Sequence, residues 1–223
     1  MRLLLFLSNV LMISLTGALA PGPVTAAAIG MGSRNPLAGL LMALGHGLVE
    51  FPLMLLLLLG VDRVLKRPSM SRLIGLAGGG FLVFLAVGMF RGLGGSGAGP
   101  AQPTGGSPLA AGILLSAGNP YFLVWWATVG LTLITTARTT FGFWAFGLMA
   151  VVHWSCDLVW LTVLSWASFK GSVLLGPTGQ QVVLAVCAAT MLGFGLYFIV
   201  LQLIRFGAGV QAQPRSHASE GHT

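Results

Sequence analysis

The sequence predicts an all-α fold: a polytopic membrane protein of six transmembrane helices, arranged as a 3+3 inverted-topology repeat in which helices 1 and 4 are broken. Three observations predict it. With 56% hydrophobic and 7% charged residues and a mean hydropathy of +0.92, the chain has too little polar surface to cover a soluble globule. Its apolar residues gather in six stretches, each long enough to supply the roughly 20 residues that cross a bilayer core about 30 Å thick. Two of those stretches share a His-x-x-x-acid spacing, at His46 and Glu50 and again at His153 and Asp157.

The elements follow in order. Segment 1, residues 3–30, begins with MRLLLFLSNVLMISLTGALA, whose basic start, apolar core and Ala-Leu-Ala ending have the outline of a cleaved signal peptide. The apolar sequence continues past the break at Ala20 to Pro23 (APGP) through VTAAAIGMG, so the segment is read as a retained, broken helix. Segment 2, residues 37–60, carries His46 and Glu50 within GHGLVEFPLMLLLLLG, and the basic stretch from Asp62 to Arg72 leads to segment 3, residues 71–93. Residues 1–93 thus form the first three-helix repeat, and the Gly/Pro/Ser-rich residues 94–107 a linker. The second repeat, residues 108–206, holds segment 4 at 108–136 with its break at Ala117 to Pro120 (AGNP), segment 5 at 140–169 and segment 6 at 180–206. Residues 207–223 read as a disordered polar tail, with His217 and His222 solvated on it. Cys156 and Cys187 form no C-x-x-C and read as small buried hydrophobes.

Basic residues near the helix ends give an orientation. If all six segments span, Arg2, Arg63, Lys66, Arg67, Arg72, Arg138, Arg205 and Arg215 lie on the side of both termini, against Arg34, Arg91 and Lys170 on the other. Eight against three predicts cytoplasmic termini. The net charge of +7 is explained by topology and anionic lipid, and no nucleic-acid-binding pattern is present.

Residues four apart on a helix share a face one turn apart, so each His/acid pair can point in one direction. Ionisable groups at membrane depth are costly, and four at matched spacing predict a functional site: His46, Glu50, His153 and Asp157 near the midplane, binding substrate or protons. The structural alternative is that each acid only orients its own histidine and locks the bundle. Broken helices leave backbone N–H and C=O groups that lipid cannot satisfy, so Pro21, Gly22, Pro23, Asn119 and Pro120 are expected to wall a pocket, with Asn119 pairing some of those groups. A unit of three helices is odd, so its second copy enters the bilayer from the opposite side, which suits alternating access. The register is imperfect: Pro23 to His46 spans 23 residues and Pro120 to His153 spans 33, placing a ten-residue difference near helices 4 and 5.

The predicted interior lacks lysine and arginine away from the helix ends, which favours a cationic cargo, whether an ammonium group or a metal ion. A zwitterion's carboxylate would need the helix N-termini exposed at the breaks. Two imidazoles and two carboxylates could also ligate Zn²⁺ or Mn²⁺, so a divalent metal exporter is the alternative, with His46, Glu50, His153 and Asp157 as ligands. An enzyme is not expected, since neither H-E-x-x-H nor a paired E-x-x-H motif occurs, and no cofactor is implied. Of the six tryptophans, Trp154 beside His153 is the candidate for a cation-π lining, and the others read as packing and interfacial anchors.

Together APGP, the G-x-G-x-x-E run ending at Glu50 and followed by LLLLLG, GGGFLVFLAVGMFRG and LLSAGNPYFLVWW resemble the LysE-type translocator family, amino-acid exporters that include lysine and homoserine efflux proteins. The resemblance covers most of residues 1–206. It implies six membrane helices in the plasma membrane of a prokaryote, homodimers, and export of a small-molecule substrate driven by protons. Members commonly read PGPN and NPK, whereas Val24 and Tyr121 stand at those positions here. The resemblance therefore carries fold and transport further than it carries the substrate. The resulting expectation is a proton-coupled exporter of amino acids or similar small amines, with Glu50 and Asp157 alternately holding protons and the cationic group, and His46 and His153 as their partners.

Overall fold

Prolines open several of the helices. A computed structural model describes residues 2–20, 22–93, 107–174 and 176–211, and all regular structure among them is helical. Helices α1 (Arg2–Ala18) and α2 (Pro23–Gly32) meet at 74°. Gly22 is extended at that break, and Pro23, which has no N–H to lose, starts α2. Then come α3 (Ala38–Leu58), the short α4 (Asp62–Leu65) and α5 (Pro68–Leu93). The Ser107 hydroxyl caps α6 (Pro108–Ala117) by accepting from the Ala110 N–H at 3.3 Å. Asn119 caps α7 (Pro120–Trp125), its Oδ1 accepting from the Tyr121 N–H at 3.0 Å. The path continues through a π-helical turn (Trp126–Gly130), α8 (Leu131–Thr136) and a second π turn (Ala137–Phe141). Gly142, at a φ of +93° that favours glycine, turns the chain into α9 (Phe143–Leu174), and α10 (Gly176–Gln211) follows.

Five stretches are long and apolar enough to cross a membrane: Ala38–Leu58, Pro68–Leu93, Pro120–Phe141, Phe143–Gly171 and Leu184–Ile204, with the bent α1–α2 pair as a sixth. Leu5, Leu48, Phe84, Val159 and Ile204 are exposed on the outside, an apolar surface suited to lipid. The chain is an all-α polytopic membrane protein.

The fourth helix is broken where expected, between α6 and α7, but its bounds differ: the stretch long enough to cross runs from Pro120 to Phe141, past the expected end at residue 136, and the ten-residue α6 before it is too short to cross by itself. The break comes there because the Pro120 ring has no N–H to continue α6, and Asn119 caps a new helix instead. Here too lies the register difference between the halves: 10 residues follow the first break in α2, whereas 22 follow the second. The two π turns fall in that longer stretch. At the other end α10 continues to Gln211, into the segment expected as tail. Pro21, residues 94–106 of the linker and residues 212–223 lie outside the described residues.

Two apolar cores orient the halves. Met42 and Ala43, early in α3, pack with Leu82, Leu161 and Met191, whereas Met54 and Leu57, late in α3, pack with Val10, Trp126 and Met149. Helix α9 meets the same cores in reverse order, Met149 in the second and then Leu161 in the first, so α3 and α9 run antiparallel. Helices α5 and α10 do likewise, since Gly75 lies against Gln202 while Gly79 lies against Gly195 and Phe198. Helix α6 packs on α3 and α2 on α9, so each half sets its broken helix against the other half's second helix. Corresponding helices running in opposite directions are what inverted copies produce. Between the two apolar cores, in the middle of α3 and α9, lie the His/acid pairs.

Candidate functional site

The antiparallel crossing of α3 and α9 brings the two pairs together. The Nε2 atoms of His46 and His153 lie 3.2 and 3.1 Å from the same atom, Glu50 Oε1. Asp157 stands further off, its Oδ2 4.0 Å from His46 Nε2 and 3.7 Å from His153 Nε2. Glu50 is 0% exposed, and both histidines are buried. A buried carboxylate is tolerable only with partners, and these donors come from both halves of the chain.

Three partners lie outside the sequence expectation. The Trp126 indole N–H donates to Glu50 Oε1 at 3.2 Å. Ser116, in α6, sits 2.7 Å from His46 Nδ1, and Ser14, in α1, sits 2.7 Å from His153 Nδ1. Each histidine is therefore held by a serine from the opposite half, as the swapped packing of the broken helices requires. Aromatic rings close the site: Phe122 meets His46 edge-on at 5.1 Å, and Trp125 and Trp126 lie 5.0 and 4.7 Å from His153.

A cavity of about 90 Å³ opens beside the quartet, well beyond the space one water needs. All four ionisable residues line it, and so do Gly22, Pro23 and Asn119 from the breaks. Pro120 instead packs against Gly78 of α5. Trp154 does not line this cavity, because its indole N–H donates to the Ala43 carbonyl at 3.0 Å and its ring covers Gly47. Trp125 and Trp126 take the place expected of it. Trp144 and Trp166, exposed toward opposite ends of α9, suit interfacial anchoring. Among the described residues no lysine or arginine lines the cavity, and Glu50 Oε2 is buried without a hydrogen-bond partner.

The donor set also bears on metal binding. His46, Glu50 and Asp157 each bring one ligand atom within 4.8 Å of the others. Yet both imidazole Nε2 atoms and the indole N–H converge on an oxygen of Glu50, not on an open coordination position, and an indole N–H only donates. The geometry is that of a hydrogen-bonded carboxylate with one oxygen to spare.

A Trp126→Phe variant would keep a ring against His153 but remove the N–H. Loss of a hydrogen bond to a charged group costs about 1.5–3 kcal/mol. The variant is expected to unfold earlier than wild type when heated in detergent, and an unchanged melting temperature would show that the indole N–H does not support Glu50.

Ionisable groups buried between inverted halves, beside helices broken at membrane depth, belong to transporters, where such features serve cargo and coupling ions. This architecture makes a membrane transporter the class to which the chain answers. The family model for the LysE type translocator matches residues 15–202, and the chain belongs to that family. No curated protein and no solved structure matches it.

Proposed function

We propose that this translocator is a proton-coupled secondary exporter of amino acids or similar small amines, working through the midplane site between its halves. The observation that carries this reading is the buried Glu50 carboxylate, gripped through Oε1 and, among the described residues, unpartnered at Oε2 in a cavity that no lysine or arginine lines. An ammonium group supplies the N–H donors and the charge that such an oxygen lacks. Asp157 adds a second carboxylate on the cavity wall, and the faces of Tyr121, Trp125 and Trp126 offer cation-π contact. Val24 and Thr25 also line the cavity from the first turn of α2, where backbone amides have no helical partner and suit the carboxylate of a zwitterion. Antiparallel halves around one site support alternating access. The same reading places homodimers in the plasma membrane of a prokaryote, with both termini in the cytoplasm, on the strength of the family and the charge asymmetry.

The test is flux in proteoliposomes under an imposed pH gradient, screening amino acids, small amines and divalent metals with wild type and a Glu50→Gln/Asp157→Asn double variant. The expected result is amine or amino-acid flux that needs the gradient and is lost in the double variant. Flux of Zn²⁺ or Mn²⁺ lost in that variant would replace the cargo with a divalent cation. Flux that persists unchanged would return the quartet to a structural role.

A further inference from the structure

The hydrogens around the quartet can be counted. Ser14 Oγ lies 2.6 Å from the Val10 carbonyl oxygen, and Ser116 Oγ lies 2.6 Å from that of Gly112. Two oxygens that close need a hydrogen between them, and a carbonyl brings none, so each hydroxyl donates to its carbonyl. The same two oxygens lie 2.7 Å from His153 Nδ1 and His46 Nδ1, and each hydroxyl has already given its only hydrogen. Both histidines therefore carry hydrogen on Nδ1, which leaves Nε2 as the nitrogen that gains or loses a proton.

Both Nε2 atoms face Glu50 Oε1, at 3.2 and 3.1 Å. Each contact needs a hydrogen. Glu50 supplies at most one if protonated, so at least one histidine must hold hydrogen on both nitrogens and be cationic. Among the described residues the titratable side chains around this group are Asp157 and Tyr121 on the cavity wall and Cys156 of α9 beside Ser14, and no lysine or arginine lines the cavity.

We infer that Ser14 and Ser116 are positioning residues, one from each half, that direct the exchangeable proton of His153 and His46 to Nε2 at Glu50 Oε1 and so leave Oε2 as the landing point for a cationic cargo. An ammonium group arriving at Oε2 adds a positive charge beside the imidazolium and favours transfer of its Nε2 proton to the Asp157 carboxylate on the cavity wall, whose Oδ2 lies 4.0 and 3.7 Å from the two Nε2 atoms; that nitrogen then no longer donates to Oε1, and the ammonium supplies Glu50 with a donor in its place. Cargo and proton then compete for one carboxylate without needing to touch. This mechanism rests on the transport reading above, whereas the serine assignment can be tested without any transport.

The test is solid-state ¹⁵N NMR of the histidine-labelled full chain in lipid vesicles, with His46 and His153 assigned through their backbone neighbours. In wild type both Nδ1 atoms are expected to be protonated, with at least one ring protonated at both nitrogens. Ser14→Ala should move hydrogen off Nδ1 of His153 and leave His46 unchanged, and Ser116→Ala should do the reverse. Each variant is thus the folding control for the other. A bare Nδ1 on either ring in wild type, or Ala variants that keep the wild-type tautomers, would overturn the assignment. Adding methylammonium chloride at fixed pH should then lower the doubly protonated signal more than potassium chloride does. Wild-type tautomers that ignore methylammonium would support the serine assignment while overturning the ammonium reading of the site.

Discussion

A Glu50→Gln variant is expected to need about ten to a hundred times more cargo for half-maximal flux in proteoliposomes, and to lose the dependence of that flux on the pH gradient. The change is nearly isosteric, so packing in the middle of α3 survives. What changes is hydrogen bonding. One carboxamide oxygen can still accept from the imidazoles and from Trp126, but without charge, and the NH₂ group takes the place of Oε2, the one oxygen now without a partner. A donor then stands where the ammonium needs an acceptor. A hydrogen bond to a charged group is worth about 1.5–3 kcal/mol, which corresponds to the stated factor at 1.4 kcal/mol per decade. Asp157→Asn should have a smaller effect, since Asp157 lies 3.7 and 4.0 Å from the imidazoles and makes neither of the two short contacts. Wild-type concentration dependence in the Glu50→Gln variant, at normal expression, would remove Glu50 from the cargo site.

Gly112→Ala is the second large effect, and it acts on the scaffold. Helices α3 and α6 approach backbone to backbone: a Cβ on Gly112 would overlap the Met42 carbonyl oxygen and lie 3.0 Å from His46 N. Backbone atoms cannot swing away as a side chain can, so the helices must part. Overpacking of this kind costs about 1–3 kcal/mol and outweighs the roughly 0.5–1 kcal/mol that alanine gains over glycine within a helix. Separation would also carry Ser116, one turn along α6, away from His46. Gly80→Ala is the matched control, because a Cβ there meets nothing within 4 Å. Thermal unfolding in detergent should fall for Gly112→Ala and hold or rise for Gly80→Ala. Equal melting temperatures for the two variants would contradict the close approach of α3 and α6.

The parts of the site that could be read in advance were those with a local signature. His46 and Glu50, like His153 and Asp157, are four residues apart in apolar runs, and the breaks at APGP and AGNP are marked by proline and glycine. Ser14 and Ser116 gave no such signal. A serine inside an apolar helix usually satisfies itself on the carbonyl one turn back, as both do here. Their second role depends on histidines 139 and 70 residues away. Trp154 is adjacent to His153 in the sequence, but consecutive helical residues point about 100° apart, which turns its ring toward Ala43. Trp126 reaches Glu50 from 76 residues away.

By itself the sequence determined the membrane class, the helical fold and the two His/acid pairs, because hydropathy, proline breaks and a four-residue spacing act within one or two turns of a helix. Only the tertiary structure decided that the pairs are unequal. Glu50 and Asp157 hold equivalent places in the repeat, yet Glu50 receives His46, His153 and Trp126 on one oxygen while Asp157 stands back. That asymmetry arises where α3 and α9 cross and the broken helices exchange partners, a meeting of residues far apart in the chain that no local pattern encodes.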